Sequence, residues 1–232
     1  MVWKTKIISD EIEIKEVGRK NMRIVLVRHG ESEFNKLCRE EKEIYCGAYN
    51  TGLTDNGRRM AKNLRNNKYI QELDEIYSSD LDRAIDTAML ATGKTDFKKM
   101  SILRERSLGK FEGKLEEELE KEYPQYFTDS KFMNFRRDFV TKAPEGENLE
   151  DVSKRCREFV STLDLKSNLT IGIFTHYTFI CCMLYVLMGL DKETVIKMKI
   201  PNCEPILVEG NKVGDFVLKS HSLSQLTKFE LY

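Results

Sequence analysis

Histidine is scarce in this chain: 232 residues contain three, His29, His176 and His221. Imidazole chemistry is confined to those positions. The six cysteines, Cys38, Cys46, Cys156, Cys181, Cys182 and Cys203, include no CxxC pair and no Cys/His ligand cluster, which argues against a zinc site. Free thiols and a cytoplasmic location are the expectation. No apolar stretch reaches the roughly 20 residues of a membrane span; the nearest, residues 179–190, reads as a buried helix. Lys4, Lys6, Asp10, Glu11 and Glu13 are intermixed at the N-terminus, unlike a secretory signal. There are 38 basic and 38 acidic side chains, so the bulk charge draws the molecule neither to nucleic acid nor to an anionic membrane. Internal repeats and flexible linkers are lacking as well.

What is present is an alternation of strand and helix patterns. The β-branched run MRIVLV at 22–27 has the composition of a strand buried on both faces, and LTIGIFTH at 169–176 repeats it. Further strands are expected at 73–79 and 100–105, with a closing pair around GNKVG near the C-terminus. Helices are expected at SEFNKLCREE, from an N-cap at Thr54 to about Asn67, and over 80–92 with Leu81, Ala84, Ile85, Ala88 and Met89 on one face. Others are expected over 112–124, stopped by Pro124, over 146–163, capped at Asn148, over 177–188 and near 191–199. This pattern predicts an α/β fold with a mostly parallel sheet and helices on both faces, a single-domain three-layer sandwich over residues 22–232. Residues 1–21, with the alternating Ile12 and Ile14, form an N-terminal extension, and residues of about 106–146 form a small helical cap.

Two of the strands end in histidine, at IVLVRHGE and IGIFTH. Ligands of open α/β sheets bind beyond the carboxyl ends of the strands, so His29 and His176 share one rim. Arg28 accompanies the first. Strand 73–79 runs into SSDLDRA and brings Arg83; strand 100–105 delivers Glu105. Taken singly, each has a plain structural explanation as a strand-end polar residue, a solvated helix arginine or a surface acid. Together, two imidazoles, two guanidiniums and a carboxyl suit phosphoryl transfer. Guanidinium forks bind phosphate oxygens, a neutral imidazole attacks phosphorus, and a carboxylic acid protonates the leaving alkoxide.

RHGES at 28–32 resembles the motif of the histidine phosphatase superfamily, the phosphoglycerate mutase-like fold, and the resemblance extends over most of the chain. SSDLDRAIDTA is similar to its second arginine motif, LRERSLGKFEG to its acid motif, APEGENLEDVSKR to its PGGES-type segment, IFTHYTFI to its second-histidine motif, and GLTDNGRRMA to a helix start of the family. The resemblance implies that His29 is the nucleophile, that Arg28, Arg83 and His176 form the phosphate pocket, that Asn35 contacts the phosphate, and that Glu105 is the proton donor. It places Cys46 and Gly47 beside the substrate and implies neither metal nor organic cofactor. Tyr177 departs from the pattern, since the family's second histidine is usually followed by a small residue, and Phe111 replaces a common tryptophan.

The compact spacing from Glu105 to His176 is closer to the phosphatase branch than to the mutases, which carry a longer insertion there. The expected activity is hydrolysis of a phosphomonoester of a small metabolite, a sugar phosphate or bisphosphate included, through a phosphohistidine on His29. A cofactor-dependent phosphoglycerate mutase is the alternative. A non-catalytic phospholigand-binding or scaffold role is the alternative from another class, disfavoured because no core residue is missing. Arg136 and Arg137 in the cap read either as a solvated basic pair or as a clamp for a second anionic group, with Tyr177 and, more weakly, Tyr123 on the same wall. The oligomeric state is left open, a homodimer included.

Overall fold

The computed structural model describes residues 21–39, 44–129 and 133–227; of the extension expected over 1–21, all but Asn21 lies outside them. A six-stranded sheet is built from β1 (Met22–Arg28), β2 (Glu75–Ser79), β3 (Lys98–Met100), β4 (Thr170–Thr175), β5 (Ile206–Gly210) and β6 (Val217–Leu218). Its order is β3-β2-β4-β1-β5-β6. β1 to β4 are parallel, and β5 and β6 add an antiparallel edge. The register positions the chemistry: Arg28 lies opposite Thr175, so the next residues, His29 and His176, leave the sheet side by side.

The helices are α1 (Glu33–Arg39), α2 (Asp55–Asn63), α3 (Lys68–Gln71), α4 (Asp82–Thr92), α5 (Glu116–Glu122), α6 (Gln125–Thr128), α7 (Leu149–Ser161), α8 (Tyr177–Met188), α9 (Lys192–Lys197) and α10 (Leu223–Thr227). Ile24, Leu26, Ile171 and Ile173 pack on one sheet face against α7 and α8, with Phe159 and Phe179 between them. Val25, Val27 and Phe174 pack on the other, against Ala88 and Ala91 of α4. Alternate residues of each central strand thus enter opposite cores, which is why these strands read as unbroken apolar runs. Three layers result, as expected.

Several boundaries differ from expectation. The third strand is Lys98–Met100, and Ser101–Leu103 turns as a 3₁₀ helix, so Glu105 arrives after a turn rather than at a strand end. The buried face of α4 is Arg83, Ala84, Thr87, Ala88 and Ala91, while Ile85 and Met89 are half-buried. Small residues bring this helix close to the sheet, and the long arginine reaches inward. The acidic helix is limited to Glu116–Glu122, and Pro124 starts α6, in keeping with proline's fixed φ at a helix start. Asn148 caps α7 as expected, its side chain accepting from Asp151 N. The cap has its own small aromatic core, in which Phe111 meets the rings of Tyr123, Tyr126 and Phe135 at 5.0–5.4 Å.

Two glycines let the site form. A Cβ on Gly30 would stand 2.5 Å from Gly57 O, and one on Gly57 would stand 2.0 Å from Glu31 O. The loop after β1 and the start of α2 meet backbone to backbone. Thr54, the N-cap of α2, also donates its Oγ1 proton to Glu31 Oε1 at 2.6 Å. Gly57→Ala is expected to cost about 2–3 kcal/mol of stability, the range of core overpacking, measured by urea unfolding. A cost below about 0.5 kcal/mol would show that the two segments separate freely.

Candidate active site

His29 is fixed by its own peptide. Its N–H donates to Thr175 O at 3.0 Å, and its carbonyl accepts from Asn202 Nδ2 at 2.6 Å. The ring Nδ1 lies 2.7 Å from Gly30 O. A carbonyl only accepts, so Nδ1 carries the hydrogen and Nε2 presents a lone pair. Burial, then the Arg83 and Arg28 guanidiniums, hold this imidazole well below its usual pKa. It is therefore neutral, as a nucleophile must be.

His176 ends β4 and is fully buried. Its ring centroid is 5.1 Å from that of His29. Its Nε2 is 2.8 Å from Ser79 Oγ, at the end of β2. Ser79 Oγ accepts from Leu81 N, which leaves its hydrogen for Nε2. The His176 proton then sits on Nδ1, a buried atom without a partner among the described residues and a donor for an anion.

The arginines share one mode of attachment. Arg83, 1% exposed, donates Nη1 to Tyr49 O at 2.7 Å and Nη2 to Gly47 O at 3.1 Å. Arg28 donates Nη1 to Ile200 O at 2.7 Å, and Arg106, 7% exposed, donates Nη1 to Phe135 O at 2.7 Å. Each Nε is buried without a hydrogen-bond partner among the described residues. Neutral carbonyls orient these cations, and none of the three forms an ion pair among the described residues. Burial lowers the pKa of Arg28 and Arg106, the cost of a charge that no ion pair compensates among the described residues, and the Glu105 carboxylate offsets part of that cost for both. By contrast Arg155, outside the pocket, is forked onto Glu147 at 2.7 and 2.8 Å.

Glu105 is anchored at both oxygens. Oε1 accepts from Arg106 N at 2.7 Å, and both oxygens accept from Thr178 N, in the first turn of α8, at 3.2 Å. Arg155 donates to the backbone carbonyl of Glu105 from behind at 3.4 Å.

Arg28, His29, Asn35, Cys46, Gly47, Arg83 and Glu105, all named from the sequence, line one cavity of about 150 Å³. Ser32, Arg106, Leu108 and Thr178 complete it. Burial pushes the Cys46 thiol up to about 11, so it lines the cavity as a neutral group. Of the other residues named from the sequence, His176 is fully buried and is not part of this lining, and Tyr177, Arg136 and Arg137 lie outside the cavity. Tyr177 and Arg137 line an adjoining one of about 190 Å³, and Arg136 borders both it and a third of about 350 Å³ beside Tyr45. Arg106 lines all three. Arg136 is ion-paired with Glu116 and hydrogen-bonded to the Tyr45 hydroxyl. Arg106 and Ser79 were not picked out from sequence, although both sit inside motifs that were. In LRERSLG an arginine at the end of a charged run reads as solvated, and the second serine of SSDLDRA reads as a strand end. Among the described residues no group of three His, Cys, Asp or Glu side chains is placed to hold a metal ion, and no helix is long and apolar enough to cross a membrane.

The described model of the histidine phosphatase superfamily (branch 1) matches residues 24–222. A 2,3-bisphosphoglycerate-dependent phosphoglycerate mutase of Bifidobacterium longum is 28% identical over 221 residues, covering 81% of this chain and 85% of that protein. Phosphoserine phosphatase 1 of Hydrogenobacter thermophilus is 26% identical over 218 residues, covering 90% and 96%. The structure of a mycobacterial glucosyl-3-phosphoglycerate phosphatase superimposes with a TM-score of 0.71 at 21% identity, covering 85% of this chain and 97% of that one.

Proposed function

The chain belongs to the histidine phosphatase superfamily (branch 1), and on that premise we propose that it is a phosphatase acting on a phosphomonoester of a small metabolite through a phosphohistidine at His29. The observation that carries the reading is the neutral His29 imidazole, its Nδ1 committed to Gly30 O, beside arginines held only by neutral groups. The nucleophile is ready and the cations keep their charge for the phosphate.

In the first step Nε2 of His29 attacks phosphorus. The P–N bond forms as the bond to the ester oxygen breaks, and the carboxylic acid of Glu105 gives its proton to that oxygen. Arg28, Arg83 and the Nδ1 hydrogen of His176 take up the charge on the equatorial oxygens. In the second step water attacks the phosphohistidine, the Glu105 carboxylate accepts its proton, and the P–N bond breaks to release orthophosphate. Asn35 adds a polar group to the cavity wall. No cofactor is needed for either step.

Hydrolysis is favoured over mutase chemistry by the compact cap, whose α5 and α6 have seven and four residues. The mutase relatives nonetheless make phosphoglycerate mutase the second reading. A screen of phosphorylated metabolites for orthophosphate release, run beside a phosphoglycerate mutase assay, separates the two. Phosphoglycerate interconversion without hydrolysis would replace the phosphatase reading.

Arg106, Arg136 and Arg137 surround the cavities next to the phosphate, which favours substrates with a second anionic group. Arg136→Ala with Arg137→Ala is expected to raise KM for bisphosphates and phosphorylated carboxylates by about tenfold or more, while simple monophosphates change less than about threefold. That factor is the loss of one partly desolvated charge contact. Steady-state kinetics on both classes check it, and equal changes would make the pair structural.

A further inference from the structure

We infer that Tyr177, the atypical residue after the second histidine, is a positioning residue that sets the guanidinium of Arg28 for phosphate and ties it to Arg137 of the cap. The Arg28 guanidinium carbon is 5.2 Å from the centroid of the Tyr177 ring, and that of Arg137 is 5.3 Å from the same centroid. The three side chains bond to alternate carbonyls of one segment. Arg137 Nη1 donates to Ile196 O at 3.3 Å, the Tyr177 hydroxyl donates to Met198 O, and Arg28 Nη1 donates to Ile200 O at 2.7 Å. They stand in a row along 196–200 with the aromatic ring in the middle position. The inference rests on the phosphatase reading of the pocket and extends it to a residue which that reading leaves without a role.

The ring solves an electrostatic problem. Burial removes water from Arg28, and Arg83 repels it, while Glu105 attracts it from across the cavity without forming an ion pair with it among the described residues. A carboxylate partner would hold it in place, as Glu147 holds Arg155, but would cancel its charge and repel an incoming phosphate. An aromatic face attracts the guanidinium through its quadrupole while adding no net charge. The phenol does not supply one by ionising, because burial pushes its pKa up. Arg137 is held in the same way, by a ring and a carbonyl. Through Tyr177 the phosphate-binding arginine and a cap arginine share one support, so the position of the cap and the competence of the phosphate pocket are linked. The residues of the row also border the adjoining cavity: Tyr177 and Arg137 line it with Thr178, whose N–H holds Glu105.

Calorimetric binding of inorganic phosphate to the full chain tests this, with kinetics alongside. Tyr177→Phe keeps the ring and is expected to bind orthophosphate within about twofold of the wild type. Tyr177→Leu removes the quadrupole and is expected to weaken binding about tenfold, the factor that a desolvated guanidinium–ring contact supports, with KM rising more than kcat falls. Phenylalanine, 3,5-difluorophenylalanine and 3,4,5-trifluorophenylalanine placed at 177 keep the shape and drain the ring's negative face stepwise. Affinity should fall in that order, a dependence that a packing role would not produce, and this series decides the matter if the leucine variant does not fold. Fluorinated rings that bind alike, or a folded Tyr177→Leu with wild-type affinity, overturn the inference and leave the phosphatase reading standing. A wild-type protein that takes up no orthophosphate overturns both.

Discussion

His29→Ala is expected to lower turnover of any phosphomonoester by about 10⁴-fold or more, the scale of losing a covalent nucleophile. No neighbouring group matches its chemistry: Cys46 in the cavity wall is held neutral by burial, and the fully buried His176 accepts at Nε2 from Ser79. The substitution should spare the fold, because the backbone bonds to Thr175 and Asn202 do not involve the ring. Rapid quenching with labelled substrate should trap an acid-labile, alkali-stable phosphoenzyme in the wild type and none in the variant. Retention of a tenth of the activity would remove His29 from the mechanism. The pH dependence has two opposite signs. For activity, protonation disables the nucleophile. Burial and the two arginines hold the His29 pKa well below the ordinary imidazole range and keep it competent as pH falls through that range, so the acid limb of kcat/KM should lie below it. For stability, His29 and His176 both have lowered pKa values. Their contribution is present above the unfolded value and is lost as pH falls below it, since the unfolded chain then takes up protons that the folded one refuses. Urea midpoints at neutral and mildly acidic pH read this directly.

The second large effect is expected from Glu105→Gln, about 10²- to 10⁴-fold in kcat/KM on alkyl phosphates and less than about tenfold on nitrophenyl phosphate. An alkoxide must be protonated as it leaves, whereas a nitrophenolate departs as the anion. The parameter matters as much as the substrate. kcat/KM reports events up to release of the alcohol, so any part Glu105 plays in activating water at the second step does not enter it. Glutamine preserves an oxygen for Arg106 N or Thr178 N, which keeps the side chain in place while removing the proton. Equal losses on the two substrates would mean that the carboxylate positions rather than protonates.

The two histidines were legible because each ends a recognisable run. His29 and His176 close the two apolar stretches that become β1 and β4, and the parallel register makes them neighbours. Arg83 was legible by motif although its burial was not: periodicity assigned α4 an apolar face through Ile85 and Met89, whereas small residues and the arginine itself fill the contact with the sheet. Glu105 was placed on a strand that stops five residues earlier, because Lys98–Met100 forms a short edge and the chain then turns. The cap was the least legible part. Its core is seven residues drawn from positions 45 to 143, a long-range aromatic cluster with no local period. Arg106 is invisible to hydropathy for a related reason: a lone buried cation is recognised only from what surrounds it.

The attachment of Arg28, Arg83 and Arg106 to backbone carbonyls has a thermodynamic corollary. Their desolvation is met during folding, before any phosphate arrives, so the pocket is preorganised and little rearrangement opposes binding. By linkage, whatever anion relieves that uncompensated charge also favours the native chain over the unfolded one. The ligand of this site is in that sense a late component of the fold, and the protein is at its least stable when its pocket is empty.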